Sequence, residues 1–457
     1  MGVHAVVRSF SGILFLGLML LFAPRGALAA SDADLSAKVE ALIQPLVKAD
    51  RFSGAVLIAR NGKPVFRKGF GLANREWNIP NDPETKFRIG SITKQFTATA
   101  ILQLAEVGKL SIDDPVSKYY TDAPAAWSGI TIRHLLTHTS GIPSYTDAPH
   151  FFDEGARSDR TPEEIIKLMV DKPLAFTPGS KFTYDNGGYV ILGYIIEKVS
   201  GEHYAEYVQH HIFDPLGMTS TGYDVSATII PKRAAGYSLD KGTFTNTPYL
   251  SMTEPFSAGS LYSTVGDLLI WDQALNAGKP LKPASLQAMF TDYGHGYGFG
   301  WLIDEFFGHQ RFFHGGDING FVGRFDRYPK EGLTVVVLSN DGGAPVGGIG
   351  DNLGAIYLGI PPRTAAAVGE VLLRRSIEAL RTGKPNYDDM GPPLAEATRV
   401  QLPDLQKIIT GLGQVKSIKL QQAYAAGVDE YEVVFQNGVL DWNIVVDKDG
   451  KLTGAWF

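Results

Sequence analysis

Strand-like sequence stands at both ends of a long stretch that has none. Residues 53–60 and 63–71 are apolar and β-rich, and Asn61-Gly62 lies between them. Asn-Gly between two such runs marks a tight β-hairpin. From about residue 113 to 288 the strand pattern gives way to helical periodicity, at 131–138, 161–170, 188–200, 203–212 and 263–277. Strand signals return at 298–303, 320–325 and 333–338. Two strands, a helical middle and three more strands predict one antiparallel sheet built from both ends. The helices form a subdomain inserted between them, and the fold class is α+β. An amphipathic segment at residues 34–48 precedes the hairpin. The cleft between sheet and helices is the natural place for a site.

Beyond Leu358 the texture changes. Residues 361–367, Pro-Pro-Arg-Thr-Ala-Ala-Ala, read as a linker. A helical pattern at 368–381 follows, then strand patterns at 414–424, 430–436, 439–446 and 451–457, with Asn437-Gly438 and Asp449-Gly450 as turns. Residues 368–457 are thus expected to form a small accessory α+β domain. At the other end, Arg8, the apolar run 10–22 and Ala27-Leu28-Ala29 have the pattern of a cleaved signal peptide over residues 1–30. The run is shorter than the roughly 17–25 residues a membrane span needs. Export to the periplasm or medium is expected, with no stable membrane insertion after cleavage and a main domain over 31–360. A net charge of −6 gives no electrostatic case for nucleic acid. The absence of cysteine excludes thiolate catalysis and disulfides.

Three short stretches carry residues suited to chemistry. The first is Ser91-Ile-Thr-Lys94, ahead of an apolar run with no Pro or Gly before Gly108. Three apart on a helix, Ser91 and Lys94 share a face. Ser91 is expected in the first turn, where free N–H groups gather. A serine hydroxyl needs a base. A lysine of reference pKa about 10.4 serves only if burial lowers it to about 7–8, roughly 3–4 kcal/mol of ammonium destabilisation. The second is Tyr184-Asp-Asn186 before Gly187-Gly188. In extended backbone Tyr184 and Asn186 point the same way, the phenol suited to moving a proton and the amide to binding a substrate. The third is His314-Gly315-Gly316-Asp317, where glycine lets a substrate approach bare backbone. An N–H after the glycines could join that of Ser91 in an oxyanion hole, one such donor being worth about 10²–10³ in rate.

In that order the three stretches resemble the motif set of the serine β-lactamase and penicillin-binding-protein superfamily. The spacing is similar to its class C β-lactamase, DD-peptidase and esterase branch. Residues 135–142 and 258–264 also resemble recurring phrases of that branch. The resemblance spans roughly residues 35–360. It implies Ser91 as acylated nucleophile, with Lys94 and Tyr184 as the base system. It further implies Asn186, His314, Gly315 and Gly316 as substrate-binding positions, and the N–H groups of Ser91 and Asp317 as oxyanion donors. The expected substrate is a small molecule or peptide, namely a D-amino-acid peptide, an ester or a β-lactam, with no cofactor and no metal. Where penicillin-recognising members carry Lys-Thr-Gly, this chain has His-Gly-Gly. An ordinary histidine titrates near 6.5, so His314 is expected to be mostly neutral at about pH 7.5. Low activity on penicillins and a histidine-dependent KM for anionic substrates follow. The rival reading is a non-catalytic cell-wall or peptide-binding protein that keeps the fold. Oligomeric state is left open. His134 and His138, four apart, lack the flanking glutamate of a zinc helix and are expected to be structural. Residues 347–354 do not match G-x-G-x-x-G.

Overall fold

The computed structural model describes residues 32–148, 151, 155–240 and 243–457. The expected signal peptide lies outside the described residues. In chain order, helix α1 (Asp32–Lys48) precedes strands β1 (Gly54–Arg60) and β2 (Lys63–Phe70). The helical middle contains α2 (Thr93–Glu106), α3 (Ile132–Leu136), α4 (Pro162–Val170), α5 (Asn186–Ser200) and α6 (Val265–Asn276). Strands β3 (Leu302–Phe306), β4 (His309–Ile318), β5 (Phe321–Tyr328) and β6 (Leu333–Ser339) then lead into α7 (Val346–Leu358).

The main sheet has the order β3-β4-β5-β6-β1-β2 and is antiparallel throughout. The Asn61-Gly62 turn has positive φ at both residues, 49° and 74°, as a two-residue hairpin of the primed type requires. The two halves of the sheet join where β1 pairs β6, from Gly54 opposite Ser339 to Arg60 opposite Leu333. Four strands return after the helical middle, not three. The additional one is β4, whose centre is His-Gly-Gly-Asp rather than an alternating apolar run. The strand predicted at 298–303 starts only at Leu302.

Both β1 and β6 are buried on both faces, and their side-chain alternation divides two cores. Val56, Ile58, Val335 and Val337 face one core with Leu35, Val39, Ile43 and Leu46 of α1 and Ile349 and Leu353 of α7. Ala55, Leu57, Val336 and Leu338 face the other, with Ile92 and Phe96 and the apolar side chains of the helical middle. Full burial of each such aliphatic side chain stabilises by about 1.5–3 kcal/mol. The large cores on either face therefore fix the sheet between its helices.

Helix α2 is buried in the second core from Thr93 to Leu102. Several of its polar groups have internal partners: Thr97 Oγ1 donates to Ser257 O at 2.6 Å, and Gln95 Oε1 accepts from Trp271 Nε1 at 3.0 Å, although Gln95 Nε2 is buried without one. A buried polar group without such a bond would be costly. The segment predicted as one helix at 203–212 divides into an α-helix, Tyr204–Val208, and a π-helical turn, Gln209–Phe213.

Past the linker, α8 (Gly369–Arg381) and α9 (Pro392–Leu412) cover a four-stranded antiparallel sheet of β7 (Val415–Ala423), β8 (Val428–Phe435), β9 (Val439–Val446) and β10 (Leu452–Trp456). Leu373, Ile377, Ile409, Val433, Trp442 and Ile444 form its own core. The sequence reading has no α9. Among the described residues, no helix is long and apolar enough to cross a membrane.

Candidate active site

The site forms where the start of α2 meets the middle of β4. A 3₁₀ turn, Gly90–Ile92, leads directly into α2, so Ser91 sits one turn before the α-helix proper. Glycine is required on both sides of this meeting. Gly90 has φ +49°, and a Cβ on it would stand 2.8 Å from Asp317 N. A Cβ on Gly316 would stand 1.9 Å from Ile89 O and 3.3 Å from Ser91 N. The backbones of the turn and of β4 thus touch.

Lys94 is fully buried one turn after Ser91. Its Nζ donates to Ser91 Oγ at 3.0 Å, to Asn186 Oδ1 at 2.9 Å and to Ala258 O at 2.9 Å. It also lies 4.8 Å from the ring centre of Tyr184 and 5.5 Å from that of Tyr189. Burial lowers its pKa to about 7, against the opposing pull of the Asp185 carboxylate. A lysine in this state is a base near neutral pH. Burial raises the pKa of the Tyr184 hydroxyl well above the usual phenol range. The phenol is therefore protonated at neutral pH, and the resting base of the pair is the amine.

The Tyr184-Asp185-Asn186 corner is built by a helix cap. Asp185, in extended backbone, accepts from Gly187 N at 2.7 Å and Gly188 N at 2.9 Å, and so starts α5 at Asn186. A Cβ on Gly187 would stand 2.2 Å from Met169 Sδ, so the helix start closes against α4 only through glycine. Asn186 Nδ2 donates to Thr146 Oγ1 at 3.3 Å. Both ends of the Asn186 amide thus have protein partners, although the side chain still lines the cavity beside Ser91.

His314 departs from expectation. It is buried rather than presented to the cleft, with Nε2 3.0 Å from Tyr297 OH and Nδ1 2.5 Å from Gly315 O. Burial, then the nearby Lys94 charge, lowers its pKa to about 3. The expected titration near 6.5 does not occur, and the ring is neutral throughout the working range. Asp317 is the β4 side chain that reaches the cleft. It is exposed and lines the cavity, and partial burial raises its carboxyl pKa.

Two of the site's other supports lie outside the three catalytic motifs. His138, at φ 57°, is buried beneath Tyr184 with ring centres 4.4 Å apart. Its Nδ1 accepts from Asp185 N at 3.0 Å and its carbonyl from Thr183 N at 3.0 Å. Paired with His134 by spacing, it is separated from it by role, since His134 Nδ1 accepts from Thr131 N in the α3 capping box. Among the described residues, no cluster of three or more His, Cys, Asp or Glu could hold a metal. Tyr145 is the other support. Its hydroxyl donates to Glu254 O at 2.6 Å, and with Phe151, Leu250 and Pro255 it walls the cavity opposite Ser91.

Comparison with known proteins gives a consistent result. The family model described as Beta-lactamase matches residues 39–356. The chain is 39% identical over 289 residues to the putative penicillin-binding protein PbpX of Bacillus subtilis, covering 63% of this chain and 70% of that protein. The structure of the octameric penicillin-binding protein homologue from Pyrococcus abyssi is similar with TM-score 0.64 and 30% identity, over 90% of each chain. A D-stereospecific amidohydrolase from Streptomyces is similar with TM-score 0.58 and 28% identity, over 72% of this chain and 98% of its own.

Proposed function

Because the chain belongs to the beta-lactamase family, we propose that it is an exported serine hydrolase that cleaves an amide or ester through an acyl-enzyme on Ser91. Membership supports serine hydrolase activity in general. The observation that carries the specific reading is the 3.0 Å hydrogen bond between Ser91 Oγ and a buried lysine with a pKa of about 7.

In this reading neutral Lys94 takes the proton of Ser91 Oγ, directly or through the Tyr184 hydroxyl, as Oγ bonds to the substrate carbonyl carbon. The negative charge passes to the carbonyl oxygen and is held by the N–H groups of Ser91 and Asp317. Collapse breaks the bond to the leaving amine or alcohol, which receives the proton now on Lys94 or Tyr184. Water then attacks the acyl carbon by the same path, giving the acid and free Ser91. Asn186 holds Lys94 in line through its Oδ1, and His314-Gly315-Gly316 is the strand along which the substrate lies. Substrates with a peptide or small amide character are favoured by the likeness to a D-stereospecific amidohydrolase. Export rests on the pattern of residues 1–30.

Turnover of p-nitrophenyl acetate tests the reading. Ser91→Ala and Lys94→Ala should each lose at least about 10³-fold in kcat/KM, because nucleophile and base act as a unit. Retention of the activity in folded Ser91→Ala protein would overturn it. N-terminal sequencing of the secreted protein should begin near residue 31.

A further inference from the structure

The cavity that holds Ser91 is walled by Tyr145, Thr146, Phe151, Asn186, Leu250 and Pro255, with Asp317 at its edge. Among the described residues, no side chain donates a hydrogen bond or ion pair to the Asp317 carboxylate. Charges that could neutralise it are committed elsewhere. Arg88 pairs with Asp224 at 2.8 Å, Arg160 with Glu254 at 2.5 Å and Arg324 with Asp326 at 2.5 Å. Lys94 Nζ is held by Ser91, Asn186 and Ala258. His314, three residues earlier on the same strand, is buried and bonded to Tyr297. The other carboxylate in the wall, Glu254, keeps one oxygen without a partner. The edge of the nucleophile's cavity therefore carries an unpaired negative charge, and among the described residues no cation lines the cavity wall.

We propose that Asp317 is the charge-reading residue of the site and that the substrates carry an ammonium group on the carbon next to the scissile carbonyl. This rests on the acyl-enzyme reading above and adds the substrate class to it. The geometry gives the reason. The backbone of Asp317 lies against the Ser91 turn, so in the acyl-enzyme reading its N–H is one of the donors that hold the carbonyl oxygen. A substituent on the adjacent carbon is then within one side-chain length of the carboxylate of the same residue. An ammonium there gains a charge-assisted hydrogen bond. An isosteric methyl leaves the carboxylate unpaired and partly desolvated. A carboxylate on the substrate meets like charge, which excludes the penicillin and cephalosporin class by repulsion rather than by shape.

The test is a matched pair of inhibitors of p-nitrophenyl acetate hydrolysis at pH 7. Alaninamide carries the ammonium, since an α-amino group has a reference pKa of about 7.7–8.0. Isobutyramide has a methyl in its place. Both enantiomers of alaninamide are used. With the wild-type protein the better alaninamide enantiomer should inhibit about tenfold more strongly than isobutyramide. In Asp317→Asn that ratio should fall to within about twofold, and in Asp317→Lys it should invert. A wild-type ratio near one, or a ratio unchanged in Asp317→Asn, overturns the proposal while the serine reading stands. Absence of p-nitrophenyl acetate turnover and of any Ser91 adduct sinks the serine reading instead. Equilibrium binding of the same two amides to Ser91→Ala protein then decides the charge preference separately, with equal affinities overturning it.

Discussion

Lys94 and His314 show how far a residue's chemistry can be read from its neighbours in sequence. The Ser-x-x-Lys spacing, with an apolar helix behind it, was enough to require a lysine lowered to about 7–8, and the buried amine sits at about 7. The working form is the neutral amine, so kcat/KM for a neutral ester should rise as pH increases through about 7 and level off above it. A rate that falls over the same range would rule out Lys94 as the base. For His314 the sequence suggested a side chain facing the cleft and titrating near 6.5. Tyr297, on a loop seventeen positions earlier, seals the ring, and Lys94 adds like charge. Neither contact is local in sequence. Consequently KM for a carboxylated ester should show no histidine limb between about pH 5.5 and 8, since a group lowered to about 3 stays neutral across that window. A step in KM near 6.5, lost in His314→Gln, would contradict the buried placement.

At the scale of elements, the corner at residues 183–186 depends on two residues to which the motifs assign no role. Asp185 caps α5 and its carboxylate acts on Lys94. Burial raises the Asp185 carboxyl to about 7, so it titrates over the same range as Lys94; Asp185→Asn keeps a capping oxygen but removes the negative charge that raises the lysine pKa. The acid limb of the pH–rate profile should therefore move to lower pH. Asp185→Ala should lose the cap as well, at a cost of about 1 kcal/mol. An unmoved limb in Asp185→Asn would show that the two charges do not communicate. His138→Phe keeps a flat ring under Tyr184 but leaves the buried Asp185 N–H unpaired, which should destabilise by about 1–3 kcal/mol. Thermal melts check this, and a melting point equal to wild type would show that the bond is dispensable. Strand β4 gives no alternating apolar signal, and only the His314-Gly315-Gly316 motif and its resemblance marked it as a substrate-binding strand. Its centre lacks alternating apolar residues because the Ser91 turn, not a side chain, packs on it. Helix α9 was hidden by Pro392, Pro393 and Pro403. The first two occupy the opening turn, where proline is tolerated.

For the whole molecule, the separation of strand signals into two sets predicted the main sheet and its helical insert, because β1 and β6 are buried on both faces and so read as continuous apolar runs. What the sequence did not reveal is how firmly the C-terminal sheet sits against the rest. Arg51 and Glu430 form a largely buried ion pair between the two parts. Ala425 N donates to Asn352 Oδ1 at 2.8 Å, and Tyr424 covers Gly348 so closely that a Cβ there would stand 2.3 Å from its ring. Arg51→Ala leaves Glu430 buried without its partner, a change of about 3–5 kcal/mol. It should loosen the junction and speed proteolytic cleavage within residues 361–367. Cleavage at the wild-type rate would show that the pair does not hold the two parts together.

The central claim is covalent, and mass addition tests it most directly. The protein is mixed with a slowly deacylated ester, quenched in acid, digested and mapped by mass spectrometry. A single acyl adduct is expected on the peptide containing Ser91, absent from Ser91→Ala protein that melts like wild type. An adduct on any other residue, or labelling that persists in Ser91→Ala, would contradict it.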